Sequence, residues 1–384
     1  MASVTAKKLE LLSETRLMTK SNCDACGSAN IYTVYDLPRI PIFQNRLFPV
    51  HAQALEALAA EVELMACPNC GLVFNGKFDS SLMDYNSDYQ NAQDHSPHFR
   101  SYLDEIADSI LARLKPGDKV VEVGCGKGYF LDVLRLRGVN AVGFDPAYEG
   151  DANYVTKEYF NSKTAKGQPV DAIVMRHTLE HIEAPYNFLL KMKKFLPADT
   201  LIFIEVPRFE WIVEHRAFWD IFHEHCNYFT EDFFNTIFSD KAYVKPVFFG
   251  HYMLVSARIG DIVEKIIPRR HPLYKNTIGA LIPHYRAIVS KSRRNLVWGA
   301  GAKGVSFVNL LDPEAAHIEA VIDINVRKQG NFTPLTGHAC VAPASIDWES
   351  LTEKDHLWIM NGNYSHEILC SLPLLECQVS ILGK

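Results

Sequence analysis

From residue 96 onward, predicted strands and helices alternate along the chain. Ser96-Pro97 can cap a helix, and the apolar residues that follow recur at helical spacing as far as Leu114. Further predicted strands and helices are Lys119–Val123, Tyr129–Leu136, Asn140–Phe144, Asp171–Met175, Pro185–Phe195 and Leu201–Val206. This alternation is typical of an α/β fold with a parallel, doubly wound sheet.

The two ends of the chain have different patterns. The first 95 residues contain many turn residues and few long periodic segments, which predicts a small, loop-rich domain. An apolar stretch at Tyr252–Ile259 is suited to close the middle sheet, and a shorter α/β unit follows at Asn295–Trp298, Ala302–Leu311 and Ile318–Asp323. We therefore predict three domains, at residues 1–95, 96–260 and 261–384.

Composition excludes several classes of protein. The 384 residues are 48% hydrophobic and 22% charged with a net charge of −6, which is an ordinary globular composition. No run approaches the roughly 18 apolar residues of a membrane span, and the charged N-terminal segment lacks the apolar core of a signal peptide. We expect a cytoplasmic protein without a membrane partner. The acidic net charge gives no electrostatic reason to bind nucleic acid.

Four of the nine cysteines form two Cys-x-x-Cys-Gly pairs, Cys23/Cys26 and Cys67/Cys70. In a reducing compartment such pairs indicate metal binding rather than disulfides. Four thiolates fill all tetrahedral positions of Zn²⁺ and leave none for water, which favours a structural ion. A redox dithiol and unliganded cysteines are the alternatives.

The strand at Lys119–Val123 runs directly into a glycine-rich turn, Glu122-Val-Gly124-Cys125-Gly126-Lys-Gly128. Glycines let such a turn bring backbone amides against a ligand at the N-terminus of the following helix. Asp145 lies 17 residues beyond Gly128, at the end of the next strand, where a carboxylate can accept both hydroxyls of a ribose. A turn that merely connects two core elements is the alternative.

The pattern E-x-G-x-G-x-G with a downstream acid resembles the fingerprint of class I S-adenosylmethionine (SAM) methyltransferases. The resemblance implies a SAM site formed by Glu122, Gly124, Cys125, Gly126, Gly128 and Asp145. Met175 and His177 end a neighbouring strand, so they are predicted on a wall of the same pocket. Simple packing is the alternative for both.

A histidine-rich segment, Phe222-His223-Glu224-His225, follows the strand Leu201–Val206. Histidine titrates near neutrality and an adjacent carboxylate can orient its ring, so we favour acid–base chemistry. Metal binding is less favoured because no third ligand is apparent nearby, and histidines without a chemical role are another alternative.

A second glycine turn, Gly299-Ala-Gly301-Ala-Lys303-Gly304, lies between a predicted strand and a helix, and Asp323 follows 19 residues later. This spacing alone is that of a dinucleotide-binding fingerprint and favours a nicotinamide-dependent enzyme. The helix N-terminus with Lys303 is equally suited to the diphosphate of a nucleotide sugar, assisted by Asn325 and Lys328. Packing alone, or plain surface residues, are the alternatives.

The order of the motifs along the chain resembles that of the sugar C-methyltransferases of branched deoxysugar biosynthesis. These motifs are the cysteine pairs, the first glycine turn, Thr-Leu-Glu-His181-Ile, the histidine segment and the second glycine turn. The resemblance implies a zinc-binding N-terminal domain, a class I methyltransferase domain and a smaller Rossmann-like C-terminal domain that helps to hold a nucleotide-linked 4-keto sugar. It also implies that His225 removes a proton from C3, that Glu224 orients His225, and that His181 lies near the keto oxygen.

Phe222 stands where that family usually has tyrosine, which removes a hydroxyl from the expected site. The missing hydrogen-bond donor would then come from His223, Tyr228, Tyr85 or Tyr89. Otherwise, the substrate is not the usual ketosugar. The polar segment that contains Tyr85, Tyr89, Asn91 and His98 is predicted as a substrate lid, with an exposed linker as the alternative.

The sequence therefore predicts a SAM-dependent C-methyltransferase that acts on a small molecule, a nucleotide-linked 4-keto deoxysugar, as a monomer or small homo-oligomer. The alternatives are an O-methyltransferase, a zinc-containing NAD-dependent oxidoreductase and a non-catalytic zinc interaction module.

Overall fold

The computed structural model describes residues 19–83, 96–167 and 169–384, and within these ranges the strands form three sheets. The first is antiparallel, in the order β1 (Tyr32–Pro41), β2 (Ala59–Ala66), β3 (Val73–Asn75) and β9 (Asn227–Tyr228). Helix α1 (His51–Leu55) lies in the connection between β1 and β2. Strand β9 comes from the middle of the chain and pairs with β3, Val73 opposite Tyr228. The segment just before β9 is therefore held against the N-terminal sheet.

The middle sheet has seven strands in the order β10-β11-β8-β7-β4-β5-β6. Its strands are β4 (Lys119–Val123), β5 (Asn140–Phe144), β6 (Val155–Thr156), β7 (Ala172–Arg176), β8 (Leu201–Pro207), β10 (Tyr243–Val247) and β11 (Tyr252–Arg258). Strands β4 to β8 are parallel, and β11 joins β8 antiparallel, with Tyr252 opposite Pro207. The helices along this part of the chain are α2 (Pro97–Leu111), α3 (Tyr129–Leu136), α4 (Pro185–Lys193), α5 (Phe209–Glu214) and α6 (Glu231–Ile237).

The third sheet has five parallel strands in the order β14-β13-β12-β15-β16. They are β12 (Asn295–Trp298), β13 (Ile318–Ile322), β14 (Cys340–Val341), β15 (His356–Ile359) and β16 (Gln378–Ile381), with helices α7 (Ile282–Lys291), α8 (Ala302–Leu311) and α9 (Ser365–Cys370). Short 3₁₀ turns lie at Ser80–Leu82, Leu179–His181, Phe218–Asp220, Ile259–Asp261, Ile278–Leu281, Pro343–Ser345, Trp348–Ser350 and Gly362–Tyr364. The predicted α/β fold, with a mostly parallel, Rossmann-like middle sheet and extra domains, is confirmed.

Helix α2 begins where its sequence predicts. The Ser96 hydroxyl accepts a hydrogen bond from the Phe99 backbone N–H at 3.2 Å, and Pro97 occupies the first turn. Its apolar face, which includes Phe99, Leu103 and Ile106, is buried against the middle sheet. The helix ends at Leu111 rather than Leu114 because the last residues continue as tighter turns.

One hydrophobic cluster joins the N-terminal sheet, the C-terminal sheet and the segment of the middle domain that follows β8. Phe218 and Trp219 are almost completely buried and pack with Val34 of β1 and with Phe307 and Trp358 of the C-terminal domain. Burying such large aromatic residues contributes about 1.5–3 kcal/mol each. The segment Phe218–Asp220 is thereby fixed where the three domains meet, shortly before the histidine-rich segment. In the part of the chain described, no helix combines the length and the apolar character that crossing a membrane would need.

Candidate active site

The first glycine turn has a backbone that requires glycine. Gly124, Gly126 and Gly128 have φ values of 73°, 54° and 80°. A β-carbon at Gly124 would lie 2.4 Å from Thr178 Oγ1. Asp145 stabilises the turn from β5, since one of its carboxylate oxygens accepts the Gly126 N–H at 2.8 Å and the other accepts the Ala147 N–H at 2.8 Å.

Glu122 lies at the base of this turn, and its side chain is 2% exposed. Within the described residues no hydrogen-bond partner reaches its Oε2, and burial raises the pKa of this carboxyl group to about 8. A buried carboxyl oxygen without a partner favours a ligand that supplies one. Space for a ligand is available, because a β-carbon at Gly126 would meet no atom within 4 Å. The turn and Glu122 therefore fit the SAM that the sequence predicts here. Cys125 lies in the same turn and lines the same cavity.

A buried charged network continues from β7 and β8. Arg176 Nε donates to Glu205 Oε2 at 2.6 Å, and Tyr102 donates to Glu205 Oε1 at 2.7 Å. His177 lies between two carboxylates, with Nε2 3.1 Å from Glu205 Oε1 and Nδ1 3.4 Å from Glu180 Oε1. Burial alone would lower the pKa of His177, but these two carboxylates raise it to about 9. His177 is therefore an imidazolium at neutral pH. Met175, its neighbour in β7, is fully buried in the hydrophobic core.

The structure brings His225 together with Glu180 and His181, two adjacent residues of the turn Leu179–His181 that lie far earlier in the chain. The ring centroids of His181 and His225 are 4.9 Å apart, and side-chain polar atoms of all three residues lie within 4.8 Å of one another. His181 Nδ1 donates to the backbone carbonyl of Glu224 at 3.0 Å. Burial, and next the neighbouring His181, lower the pKa of His225 to about 3. His225 is therefore neutral at physiological pH.

Phe222, His223 and Tyr228 hold the histidine-rich segment in place. The Phe222 ring contacts His225, with centroids 4.9 Å apart. The Tyr228 hydroxyl donates to the Phe222 carbonyl at 2.9 Å and accepts the Phe222 N–H at 2.8 Å, which closes the loop on itself. His223 is fully buried on the other side, where its ring lies 3.3 Å from the Glu61 carbonyl of β2 and stacks on Phe78.

The second glycine turn also requires glycine. A β-carbon at Gly304 would lie 1.8 Å from the Gly299 carbonyl oxygen, so β12 and α8 can pack closely. Asp323 accepts the Ala300 N–H at 2.9 Å. Lys328 Nζ donates to the Ala300 carbonyl at 3.1 Å and lies 3.5 Å from Asp323. Asn325 is buried beside them.

The side chain of Lys303 extends from this turn toward the middle domain. Its Nζ lies 2.8 Å from Asp220 Oδ2 and 3.0 Å from His251 Nε2, over the face of Trp211. This pairing joins α8 of the C-terminal domain to the segment before the histidines. Asp220 and His251 were not predicted as site residues, since neither belongs to a spacing pattern.

The remaining predicted substrate residues lie apart. His98 packs between Phe249, Phe248 and Tyr364 and lines a second depression, which shares Glu367 with the main cavity. Tyr85, Tyr89 and Asn91, and with them most of the predicted lid, lie outside the described residues.

Both glycine turns open into one cavity of about 580 Å³. Gly124 and Gly126 line it from the middle domain, and Gly299 and Gly301 line it from the C-terminal domain. Its wall also contains the chemically active side chains, namely Glu122, His177, Glu180, His181, Glu224, His225, Lys303, Asn325 and Lys328. Two ligand groups, one at each turn, can therefore share this space with the histidines.

The four predicted metal ligands form a separate cluster. The Sγ atoms of Cys23 and Cys70 are 3.6 Å apart, those of Cys26 and Cys67 are 3.5 Å apart, and all four lie within 4.8 Å of one another. A tetrahedral zinc with Zn–S bonds of about 2.3 Å requires sulfur atoms about 3.8 Å apart. The cluster fits a structural Zn²⁺ with small adjustments.

Comparison with known proteins identifies the class. Residues 96–242 match a family model described as a methyltransferase domain. The protein is a SAM-dependent methyltransferase with a class I middle domain. The NAD-dependent oxidoreductase and the non-catalytic zinc module are therefore set aside.

One relative matches nearly the whole chain. It is the C-methyltransferase NovU of Streptomyces niveus, 24% identical over 394 aligned residues that cover 90% of this chain and 91% of the relative. Among solved structures, the cyclopropane synthase MmaA2 from Mycobacterium tuberculosis is 21% identical with a TM-score of 0.25 and covers 36% of this chain and 54% of its own. An O-methyltransferase family protein from Burkholderia thailandensis is 11% identical with a TM-score of 0.32, and the match covers 41% of this chain and 55% of the other.

Proposed function

We propose that this methyltransferase transfers a methyl group from SAM to a ring carbon of a nucleotide-linked 4-keto deoxysugar, with His225 as the base. The observation that carries the proposal is the shared cavity, in which His181 and His225 line the same space as both glycine turns. The relation to NovU, a C-methyltransferase that aligns over nearly the whole chain, supports methylation at carbon.

The first turn and Glu122 would hold SAM, which supplies the methyl group when bound. The second turn provides backbone amides at the N-terminus of α8, which suit the diphosphate of a nucleotide sugar. Lys328, fixed by the Ala300 carbonyl, places a cation beside that turn. Lys303 contributes through Asp220, because this ion pair ties the second turn to the segment that carries the histidines.

A carbon beside a ketone is weakly acidic, so its proton must be taken by a positioned base. The C–H bond breaks, the proton goes to a ring nitrogen of neutral His225, and the electron pair spreads onto the keto oxygen. The carbon would then take the methyl group that bound SAM supplies, whose bond to the sulfonium sulfur would break with S-adenosylhomocysteine as the leaving group. His181 Nδ1 donates to the Glu224 carbonyl, and we propose that Nε2 is the ring atom that acts on substrate. In this proposal His181 is the polar group that stabilises the enolate oxygen.

The experiment is hydrogen exchange in heavy water with a panel of nucleotide 4-keto sugars. We expect the wild-type enzyme to introduce deuterium at the carbon next to the ketone, and His225→Asn to abolish this exchange. An exchange rate that His225→Asn leaves unchanged would reject the assigned base. Binding of SAM by the variant, measured by calorimetry, shows that the fold is retained.

O-methylation is the second candidate, and Phe222 is the observation that favours it. Phe222 offers no hydroxyl beside His225, and the Tyr228 hydroxyl is engaged by the Phe222 backbone. Transfer to oxygen needs a base and a substrate hydroxyl but no donor for an enolate. Analysis of where the methyl group resides in the product separates the two candidates.

We propose in addition that the four cysteines hold a structural Zn²⁺, because their sulfur atoms already surround one centre. In this proposal the zinc ties the loop before β1 to the turn between β2 and β3. That turn packs on α6, where the Gly71 carbonyl accepts a hydrogen bond from Thr230 at 2.8 Å.

A further inference from the structure

We infer that Glu180, rather than Glu224, is the carboxylate that stabilises His225 when this histidine carries the substrate proton. The inference rests on the proposed function, and it assigns a positioning residue to the base. Glu180 lies in the 3₁₀ turn Leu179–His181, which follows β7. The resemblance to known enzymes had suggested Glu224 for this role.

Proton transfer to His225 needs a counter-charge. A half-buried imidazole in this cavity is neutral, and its pKa of about 3 would make it a weak base. The charged and titratable groups that act on it are His181 and His177, which lower its pKa, and Glu180 and Asp220, which raise it. Glu180 has the largest effect of the two carboxylates.

Glu180 is built to keep its negative charge inside the protein. Its side chain is 2% exposed, and within the described residues no hydrogen-bond partner reaches Oε2. The opposite oxygen, Oε1, faces His177 Nδ1 at 3.4 Å. Burial would raise the pKa of Glu180, but His177 and the neighbouring histidines lower it. One carboxylate oxygen is thus bound to a fixed cation, and the other remains for the cavity.

His177 is held in place for this purpose. Its φ of +48° is uncommon for a residue with a side chain, and such strain persists where the surroundings impose it. This conformation places the ring between Glu205 and Glu180, and the Glu205 backbone carbonyl accepts the His177 N–H at 2.9 Å. Glu205 is in turn bound by Arg176 and Tyr102. The network therefore fixes a carboxylate oxygen of Glu180 within 4.8 Å of a ring nitrogen of His225.

Glu224 acts on the histidines in a different way. Its backbone carbonyl, not its carboxylate, accepts the His181 Nδ1–H at 3.0 Å. That bond orients His181. The two acidic residues thus serve different histidines, Glu180 through its charge and Glu224 through its main chain.

The test compares Glu180→Gln and Glu180→Asp with the wild type in the heavy-water exchange experiment. We expect Glu180→Gln to slow exchange about 100-fold, which is typical of an impaired general base, and to shift the acid limb of the pH–rate profile to lower pH. The shift has this sign because the loss of a negative charge lowers the pKa of His225. Glu180→Asp, which keeps the charge, should restore part of the rate. The matched control is Glu210→Gln, an acidic residue bound to the Glu231 N–H away from the histidines, which should retain the wild-type rate.

Several results would overturn the inference. Exchange by Glu180→Gln at the wild-type rate would do so, as would a slower rate with an unmoved acid limb, which indicates a structural role alone. Stoichiometric binding of added Mn²⁺ that Glu180→Gln abolishes would show that the carboxylate serves a cation instead. If no ketosugar exchanges even with the wild type, the proposed function has failed. The role of Glu180 is then tested by NMR titration of His225, whose pKa must be lower in Glu180→Gln than in the wild type.

Discussion

Replacement of Gly124 by alanine tests whether the first glycine turn holds SAM. The new methyl group would lie 2.4 Å from Thr178 Oγ1 and 2.7 Å from its Cγ2. Thr178 cannot move freely, because its hydroxyl donates to the carbonyls of Val123 at 3.2 Å and Arg176 at 3.0 Å. The left-handed backbone, with φ of 73°, adds a further penalty.

The two effects can be given magnitudes. A residue with a side chain in the left-handed region costs about 1–2 kcal/mol. Overpacking against fixed neighbours costs about 1–3 kcal/mol. The turn therefore becomes about 2–5 kcal/mol less stable in its present conformation. If the turn relaxes by losing its ligand geometry, even about 2–3 kcal/mol weakens SAM binding roughly 30- to 140-fold.

The assay is calorimetric titration with SAM, paired with thermal unfolding. Gly117→Ala is the matched control, because Gly117 has φ of 89° and its β-carbon would meet nothing within 4 Å. We expect Gly117→Ala to lower the unfolding temperature slightly and to bind SAM normally, and Gly124→Ala to lose affinity. Normal SAM binding by Gly124→Ala would refute the reasoning, and so would an equal loss in both variants.

Two further predictions concern metal and pH. Cys70→Ser should lose the zinc and have a lower melting temperature. Cys370→Ser, at an exposed cysteine, is the control and should change neither the zinc content nor the melting temperature. Metal analysis measures the zinc and calorimetry the melting temperature, and full zinc retention by Cys70→Ser would contradict the assignment. His177 has its pKa raised from 6.5 to about 9, so its contribution to stability is complete below pH 6.5 and is lost as pH rises through about 9. The rise corresponds to about 3 kcal/mol. Denaturant unfolding should show this decline in the wild type, and His177→Gln should remove it; equal pH slopes in the two proteins would argue against a charged His177.

The α/β core could be predicted from sequence because its signals are local. The strand, turn and helix at each glycine turn have the predicted bounds, including Lys119–Val123, Tyr129–Leu136 and Ala302–Leu311. Buried parallel strands are short continuous apolar runs, and glycines mark their ends. Such signals need no knowledge of distant residues.

The N-terminal sheet could not be predicted in the same way. Strand β1 has register shifts between Thr33 and Tyr35 and between Leu37 and Ile40, so its residues do not alternate regularly. Strand β9 has two residues, and it pairs with a strand about 150 residues earlier in the chain. Pairing over such a separation leaves no periodic pattern in the sequence.

The candidate site shows the same division. The turn residues and the histidines stand in recognisable motifs. Glu180 belongs to the same Thr-Leu-Glu-His segment as His181, yet its importance depends on contacts with His177 and His225, which only the fold brings together. Lys303 was predicted from its place in a glycine turn, but its pairing with Asp220 depends on how two domains meet.

The most direct test of the account is the fate of the methyl group itself. The enzyme is incubated with SAM labelled with ¹³C at the sulfonium methyl and with a nucleotide 4-keto sugar, and the product is examined by NMR. We predict a labelled methyl group bonded to the ring carbon next to the ketone, formed by the wild type and absent with His225→Asn. A label bonded to oxygen, or a carbon-methylated product formed equally well by His225→Asn, would contradict the account.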